Sequence, residues 1–351
     1  MRFAIFVLLV KIFLLFFLLA NTVLALPDEE PDCTISTRLT KSRPDSDGPP
    51  TNVSVAIQLI DIGDIDELKQ EFLVDFMVLI RWKDERLSAA SRGSSLDECT
   101  VRYAEIWHPF LDIINQREID LHYDDLVEVD ADGSVSYVQR YSGTLASPLE
   151  LQKFPFDTQT ISIQIAAFGH GPDEINLVFD DKGLVTQREG LAPAGWNIVN
   201  IITDQSTEKF TSTDITLLRL EQKLIVERLP GYYVWNVFLP LILIVFMAWT
   251  VFWIDPEHFG PQVGVSTAAA LTLIAFLLTT RQLLPKVEYL TRADYVVLSS
   301  AVLVFYSLGE AVFTSNLASV GRHSLAMTLD RWSRIIYVII FVGILLAVWL
   351  V

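Results

Sequence analysis

Between Pro261 and Arg281 the chain reads PQVGVSTAAALTLIAFLLTTR, with no charged residue before its last position. At ~1.5 Å per residue this is enough helix to cross a bilayer. Yet Gly264, Ser266, Thr267, Thr272, Thr279 and a run of alanines make a poor surface for lipid. Steps of four and three from Gly264 reach Ala268, Leu271, Ala275 and Leu278, a small or apolar stripe along one helical face. Such a stripe either packs against a neighbouring helix or faces copies of itself around an axis.

Three further apolar segments share the second half of the chain. Together the four predict membrane helices at about 233–254, 261–284, 293–317 and 333–351 within a transmembrane domain 231–351. From Gly231 onward six basic and six acidic residues cancel, so the net charge of −17 belongs to the front half. At the start, Arg2 and Lys11 precede an apolar run Ile12 to Ala20 and small residues up to Ala25, the pattern of a secretory signal over 1–25. Residues 26–230 are then exported. Alternation puts the 255–260 and 318–334 links inside and 285–292 and the C-terminus outside. Arg322, Arg331 and Arg334 against Asp330 in the 318–334 link agree with the positive-inside rule. Glu310, toward the inner end of the third span, is expected to face protein and to hydrogen-bond between helices.

In the exported half, Val53–Ile60 and Phe72–Ile80 carry apolar side chains at alternate positions, and shorter runs of the same kind follow up to Val226. Turn signals such as Asp132-Gly133 separate them, which predicts an antiparallel, immunoglobulin-like β-sandwich. Asp130–Ser134 reads as a hairpin turn rather than a calcium loop, because the downstream ligand spacing is missing. His108, His122 and His170 have no partner at metal-ligand spacing, and no nucleophile elbow or phosphate loop occurs. No metal, cofactor, nucleic acid or enzymatic activity is expected. Cys33 and Cys99, in an oxidising compartment, either pair as a disulfide or stay separate buried thiols. Phe154-Pro-Phe-Asp-Thr-Gln159 reads as an exposed loop with two apolar tips and one fixed carboxylate, suited to a membrane-side surface. Arg228-Leu-Pro-Gly-Tyr-Tyr233 suits the junction with the first span.

An all-β exported domain, Phe-Pro-Phe-Asp-x-Gln, Arg-x-Pro-x-Tyr-Tyr, Leu239-Pro240 in the first span, a small-residue second span and Leu284-Pro-Lys286 resemble the pentameric ligand-gated ion channels, or Cys-loop receptor superfamily. Trp82–Leu87 and Ile106–Pro109 fit the same family. The namesake cysteines are replaced by Ser147 and Ile161, and the link between the third and fourth spans is short, both as in bacterial members. The resemblance implies a homopentamer in an inner membrane, surrounded by lipid and passing monovalent ions, with the agonist bound between subunits. Carried onto this chain, it marks Phe168 and Phe210 as ligand contacts, with Ile114 and Met77 where many relatives have aromatic residues. That change weakens a cage for a quaternary ammonium, leaving a small amine, another organic ligand or protons.

The same resemblance gathers Pro155, Phe156, Asp157, Asp66, Glu67, Arg228 and Lys286 at the membrane surface as the coupling zone, with Asp157 and Arg228 as an ion pair. Five copies of the second span would ring the axis with Gly264, Ala268, Leu271, Ala275 and Leu278, with Leu271 and Leu278 as gate residues. Glu257, Gly260 and Arg281 mark the pore mouths. Gly260-Pro261 and Arg281 look like anion-selective relatives. An acidic vestibule and Glu257 argue for cations, and the balance leans to cations. The alternative from another class is a membrane-anchored binding or adhesion module.

Overall fold

Phe72, Val74, Phe76, Val78, Ile80 and Trp82 are buried, whereas Leu73 and Arg81 between them face outward, so one strand carries one wall of a core. The computed structural model describes residues 41–44, 46–93, 98–180, 191–210, 215–281, 283–285 and 287–350. Residues 1–25, Cys33 and Lys286, each named above, lie outside these.

Two sheets form the front half. One joins β3 (Cys99–Arg102), β6 (Leu126–Val129), β7 (Ser134–Ala146), β2 (Glu71–Lys83), β1 (Thr51–Asp66) and β9 (Ile175–Phe179) in that order, with β5 (Gln116–Leu121) also on β7. The other orders β10 (Trp196–Phe210), β11 (Ile215–Arg228), β8 (Thr158–Ala167) and β4 (Leu111–Ile113). Their inner faces share one core that includes Phe76, Trp82, Trp107, Ile163 and Leu220. The expected antiparallel pairing holds except that β1 and β9 run parallel, Val53 opposite Leu177. Asp130–Ser134 is the hairpin turn joining β6 to β7, with Asp130 N–H donating to the Ser134 carbonyl. Gly133 has φ +84 there, and a Cβ would sit 2.5 Å from the Asp84 carbonyl oxygen, so only glycine fits.

Among the described residues four helices long and apolar enough to cross a membrane follow: α1 (Gly231–Trp253), α2 (Phe259–Thr280), α3 (Arg292–Ser319) and α4 (His323–Leu350). Pro240 cannot donate to the turn before it, and α1 accommodates this with a π turn over Val234–Phe238. The α3 N-terminus is set by a capping box, Thr291 and Asp294 each bonding the other's backbone N–H. α4 begins at His323, earlier than the 333 read from hydropathy, because Asp330, Arg331 and Arg334 lower the hydropathy of a stretch that is still helical. The link before it is correspondingly brief. Trp249 Nε1 donates to the Arg334 carbonyl and Arg334 Nε to that of Phe252, which fastens α4 to α1.

The hydrogen bond expected of Glu310 is not made. Among the described residues, both of its carboxylate oxygens, and both of Asp330 on α4, are buried without a hydrogen-bond partner. Ser333 and Thr314 stand close to them outside hydrogen-bonding geometry.

Candidate functional site

The junction between the sandwich and the helices is built around one guanidinium. Arg228 ends β11, three residues before α1 begins, so the register of that strand fixes where its side chain projects. Its Nε donates to Asp157 Oδ1 at 2.7 Å and its Nη2 to Oδ2 at 3.2 Å, while Nη1 donates to Glu67 Oε1. Trp196 and Phe154 cover it, with ring centroids 4.1 and 4.8 Å from the guanidinium carbon. Burial works against the charged form, but the hydrogen bonds and charges of Asp157 and Glu67 outweigh it and leave the Arg228 pKa raised. Asp157 is 1% exposed and Arg228 5%. Gln159 donates to the same carboxylate, so its lone pairs are well used.

The loop that carries Asp157 sits directly on the membrane helices. Arg292 N–H donates to Gln152 O and Ala293 N–H to Phe154 O, while the Tyr289 hydroxyl accepts from Leu151 N–H. Phe154 is not the exposed tip that its sequence implied: it is 1% exposed and packs edge-on against Tyr233. Phe156, exposed, stacks parallel to Phe238 of α1. Pro155 follows Phe154 through a cis peptide bond. Asp66 caps its own turn by accepting from the N–H groups of Leu68 and Lys69 and does not reach Arg228. Asp157, Glu67 and Arg228 are thus brought together. Lys286 lies outside the described residues.

In α2, Gly264, Ala268, Leu271, Ala275 and Leu278 are all exposed, with Gly260 and Arg281 beyond them, whereas Gln262, Ser266, Ala269, Ala270 and Leu273 are buried. Rotation of the helix is fixed by Gln262, whose amide donates to Thr314 Oγ1 and accepts from Ser315 Oγ on α3. The stripe therefore does not pack within its own chain. Glu257, at the inner end, lies 3.5 Å from His323 Nε2 at the base of α4.

The residues expected to contact ligand divide between the two sheets. Phe168 follows β8 and Ile114 follows β4, both exposed on the smaller sheet, while half-buried Met77 on β2 belongs to the larger one. One chain does not bring them together. Phe210 ends β10 opposite Ile215, and its side chain lies outside the described residues.

Beside Phe168 the structure adds Phe110, which sequence reasoning passed over. Phe168 N–H donates to the Phe110 carbonyl. Phe110 is 55% exposed and held at φ +46, a left-handed conformation that costs an aromatic residue ~1–3 kcal/mol and tends to collect at functional sites. Its ring meets His108 at 4.1 Å, and His108 stacks on Tyr103 at 4.0 Å. His170 faces Trp107 and Phe110. The signal was the aromatic density of Trp107-His-Pro-Phe110, read only for its family likeness.

Burial pushes the His108 pKa down, the Asp125 charge opposes this, and His170 adds to it. Among the described residues its Nδ1 is buried without a partner, which also favours the neutral ring. The unfolded chain therefore takes up this proton first, and stability present above about pH 6.5 is lost as pH falls through that value toward the folded pKa. The thermal midpoint of the purified protein should drop between pH 7.5 and 5. His108→Phe, with no proton to take up there, should drop less, and equal drops would remove His108 from the effect.

With this geometry in place, comparison with known proteins gives the family. Residues 37–230 match the neurotransmitter-gated ion-channel ligand binding domain, and residues 237–324 match the neurotransmitter-gated ion-channel transmembrane region. The chain belongs to the neurotransmitter-gated ion-channel family, whose members are channels and not enzymes. It is 29% identical over 296 residues to the proton-gated ion channel of Gloeobacter violaceus, covering 83% of this chain and 80% of that one. It is 28% identical over 283 residues to the gamma-aminobutyric acid receptor subunit beta of Lymnaea stagnalis, covering 76% of this chain and 56% of that subunit. The family likeness read from the motifs is borne out.

Proposed function

We propose that five copies of this chain form an inner-membrane channel in which an agonist, bound between sandwiches near Phe168 and Phe110, opens a pore lined by the exposed stripe of α2. The observation that carries the reading is Arg228. It is clamped by carboxylates from two separate loops and lies three residues from the start of α1, so displacement of either loop pulls on the membrane domain. Signal removal at 1–25, the sandwich at 26–230 and an outside C-terminus complete the proposed layout. Protons or a small organic amine are the agonist classes. The first is what the Gloeobacter relative is named for, and the second suits an exposed aromatic edge with few rings for a quaternary ammonium.

Cation passage draws support from the acidic exported half. The placement of Glu257 favours a second reading. Held beside His323, it is turned from the Gly264 stripe toward α4, and Arg281 stays exposed at the outer end. Anion passage then fits the lining better. Purified protein in liposomes should pass ions only on addition of acid or a candidate amine, which a binding or adhesion module would not do. Reversal potentials in a salt gradient then give the sign: a shift toward the anion equilibrium potential supports the second reading, and one toward the cation potential rejects it.

A further inference from the structure

Asp255 and Glu257 lie in the link between α1 and α2, and His323 opens α4, so separate parts of the chain meet at the inner end of the bundle. The meeting is close. His323 Nε2 is 3.1 Å from Asp255 Oδ1 and 3.5 Å from Glu257 Oε1, and the donor atoms all lie within 4.8 Å of one another. Zinc bonds of ~2.0–2.2 Å to nitrogen and oxygen place tetrahedral ligands ~3.3–3.6 Å apart along each edge. The His323–Glu257 distance falls within that range, and the His323–Asp255 distance, which is also a hydrogen bond, falls just short of it.

The carboxylates are also prepared for the task. A turn closes with His258 N–H donating to the Asp255 carbonyl, and Glu257 N–H donates to Asp255 Oδ1. That second bond orients the Asp255 carboxylate, as outer partners orient the ligands of zinc sites. All three side chains keep contact with solvent, leaving a fourth position for water. Two carboxylates and a neutral imidazole carry a charge that one divalent ion cancels. The imidazole selects a borderline transition metal over magnesium or calcium, which prefer oxygen donors alone.

From this geometry we infer that Asp255, Glu257 and His323 form a zinc-type divalent metal site tying the α1–α2 link to the base of α4. This lies beyond the channel reading and does not rest on it. The site would fix the position of Glu257 and join the base of α4 to the start of α2. Sequence spacing gave no sign of it, because His323 is far along the chain from the two carboxylates.

The test is calorimetric titration of untagged, chelator-stripped, full-length protein in detergent with zinc chloride. The expected result is a saturable micromolar site of about one equivalent per subunit, lost or weakened at least tenfold in His323→Ala and in Glu257→Gln. Elution volumes check that each variant assembles; if one does not, the other carries the comparison. X-ray absorption of zinc-loaded wild type should give a nitrogen and oxygen shell with scattering from an imidazole, and that scattering should vanish in His323→Ala. Equal zinc uptake by wild type and an assembled variant overturns the inference, as does the absence of saturable uptake below millimolar zinc.

Discussion

Asp157→Ala is expected to abolish agonist-evoked current and to weaken or prevent assembly. In the native chain both oxygens of Asp157 accept from Arg228, and two aromatic rings cover the guanidinium. Removing the carboxylate leaves a buried cation with Glu67 as its remaining acidic partner, and breaking a buried pair from one side costs ~3–5 kcal/mol. That is a large share of the ~5–15 kcal/mol that holds a typical protein folded. Glu67→Ala should cost less, because Glu67 is 26% exposed in its side chain against 1% for Asp157, and water can replace part of its role. Two readouts separate coupling from folding. Surface expression and elution volume report assembly, and the concentration for half-maximal current in whatever channels form reports coupling. An apolar replacement of both partners, Asp157→Leu with Arg228→Met, should recover assembly better than either single change, since it removes the stranded charge. It should not recover gating. Normal currents from Asp157→Ala would remove the pair from the mechanism.

How far the sequence reached depends on the length scale of each cause. The spans were legible because an uninterrupted apolar run has few folded outcomes in lipid, and the strands of the sandwich because alternation is local. The Asp157–Arg228 pair was legible only through motif likeness, as its partners are far apart along the chain and nothing local requires them to meet. Three features were hidden. The early start of α4 was missed because its first turns carry Arg331, Arg334 and Asp330, so hydropathy and helicity part company there. Phe154 was read as an exposed tip because two aromatics around a proline look alike in sequence; the structure buries one under Tyr233 and leaves the other against α1. Phe110 was missed because a left-handed backbone at an aromatic residue is imposed by tertiary context, which local propensity does not carry.

Leu271→Ser is expected to lower the agonist concentration needed for half-maximal opening at least tenfold and to produce current without agonist. The helix carries leucines on two faces. Leu273 is fully buried against α1 and α3, whereas Leu271 and Leu278 are 61% and 63% exposed in the single chain. Gln262 holds that rotation by bonding α3 on the other side, so the exposed face is not free to turn inward. In a ring of subunits, leucines on this face can shed water and block ions without filling the path. A buried leucine is worth ~1.5–3 kcal/mol relative to an exposed one, and a closed ring uses part of that in each subunit. Only ~1.4 kcal/mol lost in total from the closed state shifts an equilibrium tenfold. Serine keeps the ring hydrated and so acts on the closed state, not on agonist contacts tens of residues away. Leu273→Ser supplies the contrast: it places a hydroxyl in the helix-packing core and should reduce expression with no gain in spontaneous opening. If the two variants behave alike, Leu271 packs rather than gates, and the stripe from Gly264 to Leu278 loses its claim to the axis.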